Sequence, residues 1–392
     1  MIIRRPVAVR DRICTAGAVR TEYPLITASS PSWATTGHDR HATMAGMRML
    51  ILGGSWFLGR AVAEQARDDG WTVATFRRGR TGEQPPGTVL ITGDRNNLTD
   101  LDRAAAGPWD AVVDTSGYIP ANVLDVARAL EPVADRYVFV STVSVYRGWP
   151  VEPLDEDSPI LDTPHDAGPD YGYDGDPRPS RYGYGKAGCE RAVRWIFGPG
   201  RTVILRPGVI LGPREYVGRT AWWLRRLARG GTVLAPGDPD RRIQPIDVRD
   251  TARFAIQAAV PGGPTGTFNL VGDGHETFGD LLAAAARATR SAARLVWAAD
   301  EVLLRHRVRH WTELPLWRPY PGTWAVGSRR ARLAGLTTRS ITDTMRDTWD
   351  WMTTGATPVQ HGRAAELGIT PEREAQILAA IDGKDQPVMA SH

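Results

Sequence analysis

The sequence predicts an α/β fold, a doubly wound parallel sheet with a smaller C-terminal substrate-binding part. Three observations predict it: short continuous apolar runs recur from residue 48 onward, helix-period stretches separate them, and a glycine turn joins the first run to the first helix. Met49–Leu52 is the first strand, and it ends in Gly53-Gly54. A helical pattern follows from Phe57 to Asp69, stopped by Gly70. Thr72–Phe76, Thr88–Ile91, Ala111–Asp114 and Tyr137–Val140 supply the next four strands, with helices over Leu98–Ala106 and Ala121–Leu130 between the last three. Continuous apolar strands of this kind are buried on both faces, which places ligands at their carboxyl ends.

From Val151 to Arg181 the chain is rich in Pro, Gly, Asp and Tyr and has no period, so it reads as a long loop, either a lid or a solvated acidic excursion. A helix over Tyr182–Phe197 and a strand over Thr202–Leu205 resume the alternation. Beyond Leu211 the pattern is mixed, with helices near Trp222–Arg229, Thr251–Val260 and Phe278–Thr289. The domain reading is therefore a nucleotide-binding domain over 47–210, interleaved with later strands, a substrate-binding part over 211–353 and a helical tail over 354–392. Thr370 and Pro371 stand at cap and first-turn positions of the tail helix. Residues 1–46 have no sustained period and no signal-peptide core, and Asp11, Glu22 and Asp39 argue against a transit peptide. They read as a disordered arm or a non-native N-terminal extension; Met44 and Met47, just before the first strand, favour the second.

Composition bounds the function. With 392 residues at 42% hydrophobic, the chain is too long for a mini-protein and too apolar for a disordered one. It has no uninterrupted apolar stretch of transmembrane length, so no membrane partner is expected. A net charge of +4, with both signs dispersed, argues against nucleic acid as a partner. Two cysteines, Cys14 and Cys189, exclude a disulfide framework, and no histidine or carboxylate spacing suggests a metal. A cytoplasmic location and a small-molecule substrate are the expectation. Of the 48 basic residues only Lys186 and Lys384 are lysine. A lysine that persists in so arginine-rich a chain is a candidate for work that arginine cannot do.

The glycine turn runs Gly53-Gly54-Ser55-Trp56-Phe57-Leu58-Gly59. Gly53 permits the tight turn and Gly59 the close packing of helix on strand, and the helix N-terminus then favours a pyrophosphate. Trp56 stands where a middle glycine would let the backbone approach phosphate, so its indole must turn away from a cofactor or cover it. The second strand ends at Phe76-Arg77-Arg78-Gly79, without the acid that would accept from a ribose 2′-hydroxyl. Two guanidiniums would neutralise a 2′-phosphate instead, so NADP(H) is favoured over NAD(H).

Tyr182-Gly-Tyr-Gly-Lys186 puts a phenol and an ammonium on one helix face. A free phenol ionises near pH 10, and an ammonium beside it brings it toward a working range. A chance Tyr-x-x-x-Lys is expected only about 0.05 times in a chain with so few tyrosines and lysines, which makes this pair the strongest signal present. The fifth strand ends Ser141-Thr142-Val143-Ser144-Val145-Tyr146, delivering hydroxyls to the same sheet edge.

Together these residues resemble the short-chain dehydrogenase/reductase superfamily, in its extended branch of NAD(P)-dependent epimerases, dehydratases and reductases, from about Met47 to Trp351. The resemblance implies a Rossmann fold, with Tyr182 as general acid/base, Lys186 as its partner and Thr142 as the substrate-orienting hydroxyl. It places Asp94 and Arg95 near the adenine and Ser116-Gly117 along the ribose-phosphate, and it implies a homodimer formed through two helices per subunit. Dehydratases of the branch carry Asp-Glu after the threonine, where this chain has Val143-Ser144, so elimination is not expected. Sugar-nucleotide epimerases carry an asparagine soon after the sixth-strand arginine, where this chain has Arg206-Pro207-Gly208-Val209. The Trp56 variant of the turn is similar to a bacterial reductase-like group and to chloroplast stem-loop RNA-binding relatives. Three readings stand: an oxidoreductase acting on a carbonyl or secondary alcohol, an epimerase with retained cofactor, and a non-catalytic cofactor- or RNA-binding relative.

Overall fold

A computed structural model describes residues 46–383, apart from 81, 176, 178 and 356–361. The choice between an arm and an unused leader for residues 1–46 falls almost wholly outside the described residues, as do Cys14 and Lys384. Six strands enter one sheet in succession: β1 (Arg48–Leu52), β2 (Thr72–Arg77), β3 (Val89–Thr92), β4 (Ala111–Asp114), β5 (Tyr137–Val140) and β6 (Thr202–Pro207). β7 (Ile210–Leu211), β8 (Thr232–Pro236) and β9 (Ile246–Asp247) leave it, β10 (Gly266–Leu270) rejoins it beside β6, and β11 (Arg294–Ala298) pairs with β8. The seven-stranded order is β10-β6-β5-β4-β1-β2-β3, and every neighbouring pair is parallel. The order reverses between β1 and β4, and the crevice beyond those two strand ends is where such sheets take ligands.

The helices are α1 (Phe57–Asp68), α2 (Leu98–Ala104), α3 (Pro120–Leu130), α4 (Arg181–Arg201), α5 (Arg219–Ala228), α6 (Val248–Ala259), α7 (Phe278–Thr289), α8 (Asp300–Arg305), α9 (Arg329–Leu333), α10 (Ile341–Thr353) and α11 (Pro371–Asp382). Alternation along each strand decides which helices cover which face. Met49 and Ile51 of β1 join Val113 and Val138 under α1 and α6, whereas Leu50 and Leu52 join Val112 and Phe139 under α2, α3 and α4. Both faces are covered over the central strands, as the continuous apolar runs require, whereas the edge strand β3 is largely exposed, with Val89 and Leu90 open to solvent.

A second core gathers α5, α7, α10 and the β8–β11 pair around Trp223, Leu224, Leu281 and Met345. Trp223 and Trp317 are buried there, and each indole N–H has an acceptor: the Pro315 carbonyl and Asp300 Oδ1, both at 2.8 Å. Trp222 packs edge-on against Trp223. Their work is core packing; Trp311, half-buried between the guanidiniums of Arg219 and Arg318, is the exception. The two units are more interleaved than a division at residue 210 suggests, since β10 and α6 belong to the large sheet and its cover.

The loop after β5 is two things at once. Its inner part is packed: the Leu161 N–H donates to the Val145 carbonyl at 2.8 Å, and Leu161, Thr163 and Ala167 are buried. Its acidic edge, with Asp155, Asp157, Asp162 and Asp170, is exposed. No described helix is long and apolar enough to cross a membrane.

The tail helix starts where Thr370 Oγ1 accepts from the Arg373 N–H. Glu374 inserts its carboxylate between the Arg226 Nε (2.9 Å) and the Leu234 N–H (3.0 Å), with both ionic side chains buried. Removing one member of a buried pair strands the other charge. Glu374→Ala is expected to cost about 3–5 kcal/mol, read as a lower denaturant midpoint in equilibrium unfolding.

Candidate functional site

The glycine turn crosses the carboxyl ends of β1 and β4. Gly53 and Gly54 adopt φ of +106° and +95°, the left-handed region that other residues avoid. A Cβ on Gly53 would lie 2.8 Å from Thr115 Oγ1, and one on Gly59 2.7 Å from the Gly54 nitrogen. The turn, the first turn of α1 and the Thr115 hydroxyl therefore meet where added side chains would hold them apart. Ser55, Phe57 and Leu58 are buried, while Trp56 occupies the N-cap of α1. Indole has no acceptor to offer, so the first N–H groups of α1 are left for an acceptor from outside the helix, and the turn fits a pyrophosphate. The Trp56 ring turns against Tyr216, with centroids 5.5 Å apart.

Arg77 and Arg78 follow at the end of β2 and differ in state. Arg77 donates through Nη2 to Gln84 Oε1 at 2.8 Å, and its partial burial lowers its pKa; Arg78 is exposed. Asp94 accepts from the Asn96 N–H and forms the turn after β3. Arg95 turns inward, donating to both oxygens of Asp114 at 2.8 and 2.9 Å and to Ser116 Oγ at 2.9 Å. Its fork is engaged by the protein, so the site it shapes is the Ser116-Gly117 segment. Burial would raise the Asp114 carboxyl, but the Arg95 charge and hydrogen bonds and the Ser116 N–H hold it below the ordinary range. The Tyr137 hydroxyl adds a fourth donor at 2.9 Å and is itself pushed well up by burial.

Lys186 is 2% exposed and lies beneath this edge. Its ammonium donates to the Gly117 carbonyl at 2.8 Å and the Val140 carbonyl at 2.5 Å, so it bridges the ends of β4 and β5. It lies 4.4 Å from the Phe139 ring centroid and 5.2 Å from that of Tyr118. Burial lowers its pKa to about 8, against the opposing pull of Cys189 and Asp114. One turn earlier on α4, Tyr182 is 43% exposed and its ring lies 6.2 Å from Tyr118. The phenol thus stands at the rim of the crevice. Tyr118 is half-exposed, yet its hydroxyl is desolvated enough to sit above the ordinary phenol range, with Tyr216 and Tyr182 as its neighbouring phenols.

Thr142 is buried and caps a short turn over Val143–Val145, accepting from the Ser144 N–H at 3.1 Å. Below it, Ser141 donates to Glu190 at 2.5 Å, and Glu190 holds Arg206 bidentately at 2.8 and 2.6 Å. α4 approaches this floor because it carries glycine at the contacts. A Cβ on Gly183 would run into the Ser144 carbonyl, and one on Gly185 would lie 2.5 Å from that of Tyr118.

The sequence reading named Lys186, Tyr182, Thr142 and the glycine turn, and all lie along the β1, β4 and β5 ends. It missed Asp114, Tyr118, Gln84, Glu190 and Tyr216. Only Asp114 carried a signal: an acid ending a buried strand needs a cation. Among the described residues no group of three or more His, Cys, Asp or Glu is placed to hold a metal ion.

Residues 111–270 match the model of the NAD dependent epimerase/dehydratase family. The chain is 25% identical over 264 residues, 62% of its length, to the chloroplast stem-loop binding protein of 41 kDa b from Arabidopsis thaliana, and it spans 63% of that relative's length. A UDP-glucose 4-epimerase from Thermotoga maritima, solved with UDP-glucose, superposes with a TM-score of 0.59 at 17% identity, covering 79% of this chain and 99% of that one. A Thermus thermophilus UDP-glucose 4-epimerase in complex with NAD gives 0.57 at 21% identity, covering 79% and 100%. The family match agrees with the superfamily resemblance over residues 111–270, and the solved structures show the doubly wound fold.

Gly183→Ala tests the close approach of α4. A helical glycine-to-alanine change ordinarily gains about 0.5–1 kcal/mol. Here it is expected to lose about 1–3 kcal/mol by overpacking, whereas Gly200→Ala, with nothing within 4 Å of its Cβ, shows no such loss. Paired thermal melts read the difference in sign.

Proposed function

We propose that the protein is an NADP(H)-dependent oxidoreductase of the extended short-chain type, reducing a carbonyl or oxidising a secondary alcohol of a small molecule. The observation that carries this reading is the buried Lys186 ammonium, fixed to the Gly117 and Val140 carbonyls one helical turn from Tyr182. The dinucleotide, when bound, supplies or accepts the hydride. Gly53, Gly54 and Gly59 bring the backbone to its pyrophosphate, and Arg77 and Arg78 meet the 2′-phosphate. Tyr182 gives a proton to the substrate oxygen in reduction and takes it back in oxidation, and Thr142 orients that oxygen. With two of its three N–H groups on carbonyls, Lys186 keeps one donor for the crevice and a charge that favours the phenolate.

The matched family model favours a second reading, an epimerase that oxidises and re-reduces one carbon on a retained cofactor. Net consumption of NADPH with a carbonyl compound supports the first; isomerised product without net consumption supports the second. The name of the chloroplast relative raises a third, RNA binding, which predicts stem-loop affinity that Tyr182→Phe leaves intact.

Tyr182→Phe is expected to lower kcat by about 10²- to 10⁴-fold while dinucleotide affinity holds, checked by steady-state kinetics beside fluorescence titration. Lys186 has a pKa of about 8, lowered from its ordinary 10.5, so its charge is complete below that pH and lost above it. Reduction is expected to fall as pH rises through about 8, a limb that Lys186→Met abolishes. Arg78→Ala is expected to weaken NADPH about tenfold and leave NADH unchanged, since only the former carries the 2′-phosphate.

A further inference from the structure

Tyr216 belongs to no part of the reaction described above, yet it packs on the glycine turn from the loop that precedes α5. Its ring lies 5.5 Å from Trp56 and meets Phe57 edge-on at 6.1 Å. Those two residues are the last of the turn and the first of α1, and Phe57 holds a φ of +30°, a strained value for a side-chain-bearing residue. The loop that carries Tyr216 is shaped for its position. Gly212, Arg214 and Gly218 have φ of +129°, +70° and +85°. Between them Glu215 is buried, accepting from the Thr220 N–H at 2.9 Å and the Arg219 N–H at 3.2 Å at the start of α5. The Arg214 guanidinium lies 5.9 Å from the Trp351 ring of α10. The loop is thus moored to the second unit, and its aromatic tip rests on the nucleotide-binding unit.

We propose that Tyr216 is a positioning residue that holds the Trp56–Phe57 segment closed over the dinucleotide and sets how fast the cofactor leaves. This rests on the cofactor reading given under Proposed function. The tyrosine acts through the turn: its ring restrains Trp56, the residue that stands where other glycine turns leave the phosphate path open. Release then requires the aromatic pair to part. Glu215 and Arg214 connect the loop to the start of α5 and to the Trp351 ring of α10. The tilted ring contact with Trp56 and the edge contact with Phe57 carry the restraint.

The test is stopped-flow measurement of NADPH release from the full chain, by dilution into excess NADP⁺, for the parent and for Tyr216→Ala, Tyr216→Phe and Trp56→Ala. An aromatic pair of this geometry sets the scale: release from Tyr216→Ala is expected to be about three- to tenfold faster. Tyr216→Phe, which keeps the ring, should release closer to the parent rate than Tyr216→Ala does, and the Trp56→Ala/Tyr216→Ala double variant no faster than either single one. A parent rate in Tyr216→Ala, or equal acceleration in Tyr216→Phe, overturns the proposal while the cofactor reading stands. Should the parent bind neither NADPH nor NADH, the cofactor reading fails and this one with it.

Discussion

The ammonium of Lys186 is the interaction on which the site depends. A parallel sheet presents outward-facing carbonyls at its carboxyl edge, and here two of them, Val140 at the end of β5 and Gly117 just beyond β4, converge on one nitrogen. A compact head with rotatable donors suits two convergent carbonyls in a confined space; a planar guanidinium with five donors would leave several of them buried and unmet. That is a physical reason for lysine to persist at this one place in a chain that uses arginine nearly everywhere else. The cost of burying the charge shows in the lowered pKa, and the faces of Phe139 and Tyr118 offset part of it.

Seating that ammonium requires α4 to come close to the strand ends, and its glycines permit it. Gly183 lies against the Ser144 carbonyl and Gly188 against Pro120 and Pro164, so a branched side chain at either position would push the helix off the sheet. The helical periodicity that makes Tyr182 and Lys186 neighbours therefore matters only because glycine lets their shared face approach. Tyr182 is carried to the rim by the same placement that takes Lys186 inside.

How much of this was legible follows from how local each signal is. The strands other than the edge strand β3 are mostly apolar runs whose odd and even members are both buried, and the sheet edge is marked by glycine and hydroxyl residues soon after several of them. Tyr182 and Lys186 share one helix, so their spacing alone relates them. The contacts that were missed join residues far apart in sequence with no shared period. Arg95 meets Asp114 across nineteen positions, and Glu190 lies forty-nine positions from Ser141. The resemblance places Arg95 near the adenine; the structure adds that its fork is bound to Asp114, at a strand end too buried to hold a lone carboxylate. Arg77 also donates to Gln84 of the following turn, a contact its sequence position does not announce.

The floor and the roof of the crevice differ in the same respect. Beneath Thr142, Ser141, Glu190 and Arg206 join β5, α4 and β6, and Tyr146 donates to Asn269 of β10 at 2.7 Å. A desolvated ion pair repays its burial only in near-ideal geometry, and the bidentate Glu190–Arg206 pair has it, so this floor holds one arrangement. The second unit is built differently at the loop 212–218 and at a half-buried indole, Trp311, with guanidiniums near its ring. Stacked aromatics and partly exposed cations tolerate displacement that a buried ion pair does not. Under the proposed reaction, proton transfer would use the fixed floor and substrate recognition the adaptable side, which lies in the part of the chain where periodicity says least.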